Sequence, residues 1–170
     1  MADSTVFDEQ KLQKHRKQML NKPLFRLGMM KELPMASLAG LNITVLDEER
    51  CSVTVPYNFL NKNPFNTTYW AVLGMAAEMA PGAIVLMFAR NAKLSVSTFV
   101  VGCEAKFVKR ALGLVTFKTE DGKLISDAIV ATCKDHAPKT IQTKSIGYDE
   151  QGEVVAEFTF DWGVKARKPK

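Results

Sequence analysis

The spacing of apolar and polar residues changes several times along the chain, and each change marks an element. From about Ser4 to Leu20, sparse apolar positions (Leu12, Met19, Leu20) sit among many charges and predict a mostly exposed helix. Pro23 and Pro34 then bracket an expected loop. From Leu41 the period becomes two: Leu41, Ile43 and Val45 alternate with Asn42 and Thr44. After the charged turn Asp47–Arg50, Cys51, Val53 and Val55 alternate with Ser52 and Thr54. Two alternating runs across a short polar turn predict a β-hairpin, ended by Pro56.

Asn63 to Ala89 is the most apolar stretch, 27 residues with one formal charge, Glu78. Asn66, Thr67 and Thr68 are all N-cap types, so a helix is predicted to start there and run to about Arg90. Pro81 should kink or divide it. Alternation returns at Phe99, Val101, Cys103, Ala105 and Phe107, and Leu114–Thr119 makes another short strand. Lys123–Cys133 goes back to helical spacing through Leu124, Ala128, Ile129 and Thr132, and Thr140–Tyr148 reads as a weaker strand. From Val154 to Arg167, 14 residues alternate strictly, with Phe158, Phe160 and Trp162 on one side and Glu157, Thr159 and Asp161 on the other. Such a strand needs one buried and one wetter face, as in an antiparallel sheet.

This order predicts an α+β fold: one antiparallel sheet of about six strands wrapped around a long central helix that is apolar almost all round. An N-terminal helix and a small inserted helix complete it. The expected boundaries are an N-terminal helix and loop over 1–33, one domain over 34–167, and a basic tail over 168–170.

Composition narrows the class without changing that architecture. A chain of 170 residues, 46% hydrophobic and 24% charged, suits one globular domain with a proper core. The opening segment carries acids and no apolar run, which predicts no secretory signal. Glu78 and Pro81-Gly82 break the long apolar stretch into runs shorter than the ~20 residues a membrane span needs. Three isolated cysteines (Cys51, Cys103, Cys133) argue against a disulfide scaffold and for a reducing, cytoplasmic setting. A net charge of +5 favours anionic partners. Its basic clusters, Lys11, Lys14, Arg16 and Lys17 early and Lys165, Arg167, Lys168 and Lys170 late, read as solvated ends. The aromatics lie on apolar faces and not among the lysines, which leaves a nucleic-acid binder little support.

Two histidines (His15, His136) and three scattered cysteines offer no metal-ligand spacing. Phosphate-loop, dinucleotide and nucleophile-elbow motifs are missing too. Carboxylate chemistry with amide, hydroxyl and backbone helpers remains, which concentrates attention on Asn63, Asn66, Thr67, Thr68, Tyr69 and Glu78. An unpartnered carboxylate in apolar surroundings either finds donors or shifts its pKa, so Glu78 is a candidate base or nucleophile. The alternative is an ordinary helical glutamate that surfaces locally, and both readings stand. Tyr69 and Glu78 are nine residues apart, about 900° of helical turn and ~13 Å of rise, so they face opposite sides of one helix. Ala71, Gly74 and Gly82 surround Glu78 with small residues, open to close approach by a ligand or by a partner backbone, or simply packed.

The chain resembles hotdog-fold proteins of the phenylacetyl-CoA-thioesterase-like superfamily, in a branch of unknown function. The likeness rests on Asn63-Pro64-Phe65-Asn66-Thr67-Thr68-Tyr69-Trp70-Ala71, on Ala76-Ala77-Glu78-Met79-Ala80-Pro81-Gly82, and on the ending Gly152–Trp162. In related thioesterases an Asn precedes the central helix, a His-Gly-Gly opens it, and an acid follows fifteen residues after the Asn. Asn63 and Glu78 keep that spacing, while Tyr69, Trp70 and Ala71 stand in the His-Gly-Gly positions. The resemblance implies an acyl-CoA or acyl-carrier thioesterase in which Glu78, Asn63 and Tyr69 act. Asn66, Thr67, Thr68, Trp70, Gly74, Ser97 and Thr98 would contact the substrate, and Arg90, Lys106, Lys109 and Arg110 are candidates for the coenzyme A phosphates. It implies no cofactor or metal, and sites shared between the subunits of a homodimer or a tetramer of paired dimers. The alternative is a non-catalytic acyl-CoA or lipid-binding module of the same fold.

Overall fold

A computed structural model describes residues 3–168. Pro169 and Lys170, in the expected basic tail, lie outside the described residues. Three helices open the chain: α1 (Glu9–Leu20), α2 (Lys22–Glu32) and α3 (Pro34–Leu38). Where a loop is expected between Pro23 and Pro34, the chain is therefore helical. Both prolines sit in a helix's first turn, where the missing N–H is not needed and the fixed φ favours helix. Asn21 closes α1 and caps α2 by accepting from Leu24 N at 3.3 Å. Asp8 caps α1 by accepting from Lys11 N at 3.1 Å, which sets the start of α1 later than the pattern suggests.

The hairpin follows as β1 (Asn42–Leu46) and β2 (Cys51–Val55), then α4 (Trp70–Asn91), β3 (Val96–Phe107), β4 (Val115–Thr119), α5 (Gly122–Asp135), β5 (Lys139–Tyr148) and β6 (Val154–Ala166). The six strands form one antiparallel sheet in the order β1-β2-β4-β5-β6-β3. α4 lies against the sheet, and its Ala76, Ala80, Ile84 and Phe88 are buried in the core with Val53, Phe117, Ile129 and Val155. By length and hydropathy α4 would suit a membrane, but 67% of its most apolar window is buried inside the fold. Pro81 does not divide it. The helix runs unbroken for 22 residues, because packing on both sides outweighs one lost hydrogen bond.

Irregularities in two strands redirect the simple alternation. A bulge between Ile43 and Val45 leaves Val45 half-exposed and turns Leu46 inward. A second bulge between Val100 and Gly102 splits the predicted apolar face of β3. Phe99 pairs with Gly163 on the outer face, whereas Cys103, Ala105 and Phe107 pair with the inward Phe160, Phe158 and Ala156. β3 is an edge strand of 12 residues, and it is exposed over most of its length.

Candidate active site at the start of the central helix

The segment from Asn61 to Tyr69 is a turn-rich loop stitched to the body by backbone bonds. Tyr69 N donates to Asn61 O at 2.7 Å, and Thr68 N donates to Ala111 O at 2.9 Å. Asn61 itself is buried, its amide donating to Ala39 O (2.8 Å) and Pro56 O (2.7 Å). Sequence reasoning passes over Asn61, one of four asparagines within nine residues, because nothing in its spacing separates it from its neighbours.

Asn63 holds the loop's shape. Its Oδ1 accepts from Phe65 N (2.9 Å) and Thr67 N (3.2 Å), and its Nδ2 donates to Thr67 Oγ1 (2.8 Å). Asn66 takes a left-handed conformation (φ 56°) at the exposed tip, which asparagine tolerates. The cap of α4 is therefore Tyr69, not Asn66, Thr67 or Thr68, and no side chain caps the helix start. The first N–H groups of a helix have no partner within it, so those of Trp70 and Ala71 are free to meet a ligand.

That end of α4 borders a cleft of about 270 Å³, lined by Asn63, Thr67, Thr68, Trp70, Lys109 and Arg110 with apolar walls from Leu73, Phe107 and Val108. The Thr68 hydroxyl is buried there without a hydrogen-bond partner. Lys109 is tied to Asp149 (2.6 Å) and Glu153 (2.8 Å), while Arg110 makes no ion pair among the described residues. Helix N–H groups, a spare hydroxyl and a free guanidinium make the cleft attractive to an anion or a polarised carbonyl.

Glu78 lies elsewhere. It belongs to a half-buried stripe of α4 with Ala71, Gly74, Met75, Gly82 and Leu86, about 12 Å of helical rise beyond Trp70. Its carboxylate folds back over Gly82 beside Trp162, where a Cβ on Gly82 would stand 3.1 Å from Oε1. Among the described residues it makes neither hydrogen bond nor ion pair, and burial raises its pKa above the usual glutamate value. Tyr69 is the extended N-cap just outside α4, so the helical spacing that sets it opposite Glu78 does not apply, and its half-exposed ring lies edge-on to Trp70.

Ser97 and Thr98 belong to β3 and lie far from the cleft. Nine residues of β3 separate Thr98 from Phe107, ~30 Å at strand rise. Ser97 Oγ accepts from Arg167 Nε at 3.1 Å. Arg90 is paired with Glu32 at 2.9 Å at the far end of α4, so one chain cannot bring it to the cleft. His15 of α1 meets Asn91, the last residue of α4. Half-buried, it lies 3.0 Å from the Asn91 amide through Nδ1, and its pKa is lowered by burial and by Arg90, against Glu32. Burial pushes the Cys51 thiol up to about 12 and raises Cys103 and Cys133 as well, so no cysteine is an activated thiolate. No group of three or more metal-ligating side chains occurs among the described residues.

The sequence profile of the family described as Domain of unknown function (DUF4442) matches residues 21–164. The chain belongs to the DUF4442 family. Comparison with curated proteins finds no match to it. Solved structures similar to this DUF4442 chain include a protein of unknown function from Pseudomonas aeruginosa, described as a probable thioesterase. The two are 21% identical, with a TM-score of 0.72 over 87% of this chain and 97% of that one. A protein of unknown function from Chlorobaculum tepidum is 15% identical, with a TM-score of 0.71 over 97% and 100%. A thioesterase from Haemophilus influenzae is 14% identical, with a TM-score of 0.61 over 82% and 88%. At these identities the likeness establishes the fold of the DUF4442 chain, a hotdog fold with α4 as its central helix.

Proposed function

We propose that this protein hydrolyses acyl thioesters of coenzyme A or an acyl carrier, as a homodimer in which each site draws on both chains. The observation that carries this reading is Glu78: a carboxylate without a partner, raised in pKa by burial, on an open stripe of small residues in a hotdog fold. The names of the structural neighbours from P. aeruginosa and H. influenzae favour the same chemistry.

In this reading the thioester carbonyl lies at the start of α4, its oxygen facing the N–H groups of Trp70 and Ala71. The partner subunit's Glu78 takes a proton from water as the hydroxide oxygen bonds to the carbonyl carbon. Charge builds on the carbonyl oxygen and is held by those N–H groups and the positive end of the helix. The C–S bond then breaks, and Glu78 returns its proton to the departing sulfur, giving a carboxylic acid and a free thiol. Asn63 and Thr67 hold the loop that frames the cleft, Arg110 is placed for a carrier phosphate, and the Thr68 hydroxyl is available to the substrate. A second chain enters this reading because Glu78 stands about 12 Å of helical rise from Trp70 at the cleft.

A second reading, acyl-CoA binding without turnover, draws support from Trp70, a bulky side chain on the first residue of the helix. Both are tested by incubating the purified protein with acyl-CoAs of graded chain length and following free thiol. Hydrolysis that falls ~10²-fold or more in Glu78→Gln, with binding retained, is the expected result. Binding with no thiol release at any chain length makes the binding module the function. Hydrolysis unchanged in Glu78→Gln removes Glu78 from the mechanism.

A further inference from the structure

The N-terminal helical arm has an outward apolar face that the fold leaves uncovered. In α2, Phe25 and Met29 point inward and are 6% and 4% exposed, as expected of one buried face. The opposite face is apolar as well: Leu24, Leu27 and Met30 are 52%, 72% and 54% exposed. The surface continues through Leu33, Met35 and Leu38, each more than half exposed. Single exposed leucines are common on soluble proteins, but six large apolar side chains on one arm mark a contact surface.

The charge on the same arm decides what the contact is. From Glu9 to Leu38 there are seven Lys and Arg and two Glu, a net +5 that equals the charge of the whole chain. The other 140 residues carry sixteen basic and sixteen acidic side chains. The cations border the apolar stripe: Lys14 and Lys17 share a surface depression with Leu24 between α1 and α2. Lys31 lines, with Leu24, Leu27, Phe25 and Leu86, a groove of about 510 Å³ under α2. Arg26 is exposed on α2, about two turns before the C-cap residue Leu33. A second copy of the arm would bring its own +5 against this one, so arm-to-arm pairing is opposed electrostatically. An anionic, apolar-cored surface satisfies both features together.

We propose that α1–α3 form a docking surface for anionic lipid bilayers, with Leu24, Leu27 and Met30 entering the headgroup boundary and Lys14, Lys17, Arg26 and Lys31 meeting lipid phosphates. This mode lays the arm on the membrane and spans nothing. The groove meets α4 at Leu86 and Arg90, ~24 Å or more of helical rise beyond Trp70 at the cleft.

The test is flotation of the full-length protein with phosphatidylcholine vesicles, with and without phosphatidylglycerol, at low and high salt. Binding is expected only with phosphatidylglycerol, and it should weaken as salt screens the cations. Arg26→Glu with Lys31→Glu should weaken it by ~10-fold or more. Leu27→Glu, at the most exposed position, should abolish it while leaving the circular dichroism spectrum and thioester hydrolysis unchanged. No binding of the wild-type protein to phosphatidylglycerol vesicles overturns the proposal, as does Leu27→Glu binding as well as wild type. A wild-type assembly that ignores vesicles and is split by Leu27→Glu would instead make the stripe a contact between copies of this chain, and would also overturn it.

Discussion

Glu78 and Asn63, fifteen residues apart in sequence, have come to opposite electrostatic situations. Asn63 spends its amide on its own loop, accepting two backbone N–H groups and donating to Thr67. Its contribution to any reaction thus passes through the shape of the loop and the position of Thr68. Glu78 has no such partner, and burial is the one cause that raises its pKa. The folded chain therefore holds the Glu78 proton more tightly than the unfolded chain does. The stability this gives is fully present below the ordinary glutamate pKa and is lost as pH rises through the raised value in the folded protein. Glu78→Gln keeps the shape and cannot ionise. In thermal unfolding measured across pH, wild type should lose stability relative to Glu78→Gln as the medium moves from acid to neutral, and the gap should then stay level. A gap independent of pH would show that Glu78 has found donors in solution.

At the scale of elements, several glycines set how closely the pieces can approach. Gly122 starts α5 against the β1–β2 turn, and a Cβ there would lie 2.1 Å from the backbone oxygen of Glu48. Backbone cannot swing aside as a side chain does, so Gly122→Ala must displace the turn or the helix. We expect a loss of ~1–3 kcal/mol in denaturant unfolding. Little change would mean that the turn moves freely. Such contacts are invisible in sequence, where Gly122 reads only as a turn residue. Periodicity did reveal the elements that bury one face: the hairpin, β6, α5 and the span of α4, whose apolar positions repeat without interruption. It failed where a local rule met a tertiary one. Pro23 and Pro34 suggest a loop as readily as a first helical turn; the Asn21 cap marks the helix at Pro23, and no side-chain cap marks the one at Pro34. The bulges in β1 and β3 reverse which residues face inward, and no feature of alternation announces an inserted residue. The candidate site was legible as a set of polar residues beside an apolar helix. Its division was not: the helical spacing of Tyr69 and Glu78 presumes one helix, and Tyr69 is the extended cap outside α4. That Ser97 and Thr98 lie ~30 Å from the cleft follows from strand register, which the sequence does not carry.

For the whole molecule, the unfinished surfaces that bear on the site lie next to one another. The sheet stops at β3, whose 12 residues offer a mostly exposed edge with Val101 half-exposed at its bulge. Across β6, where Trp162 and Phe158 approach Gly82 and Gly74, the open stripe of α4 carries Glu78. A long bare edge is a template for another strand, and a stripe of small residues admits a second helix closely. A two-fold contact over both would extend the sheet, cover Glu78 and carry it toward the other chain's helix start. A homodimer is therefore the expected species in sedimentation equilibrium at micromolar concentration, with pairing of dimers a further step. Val101→Lys puts a charge on the edge while sparing the cleft, so it should yield monomers that retain their fold and release little thiol from acyl-CoA. Mixing Arg110→Glu, whose cleft repels the substrate phosphate, with Glu78→Gln, in chains that keep Val101, separates the alternatives. If each site takes Glu78 from the opposite chain, the recovery of activity tracks the mixed dimers that form, whereas a compact Val101→Lys monomer with full turnover would mean that one chain holds the whole reaction.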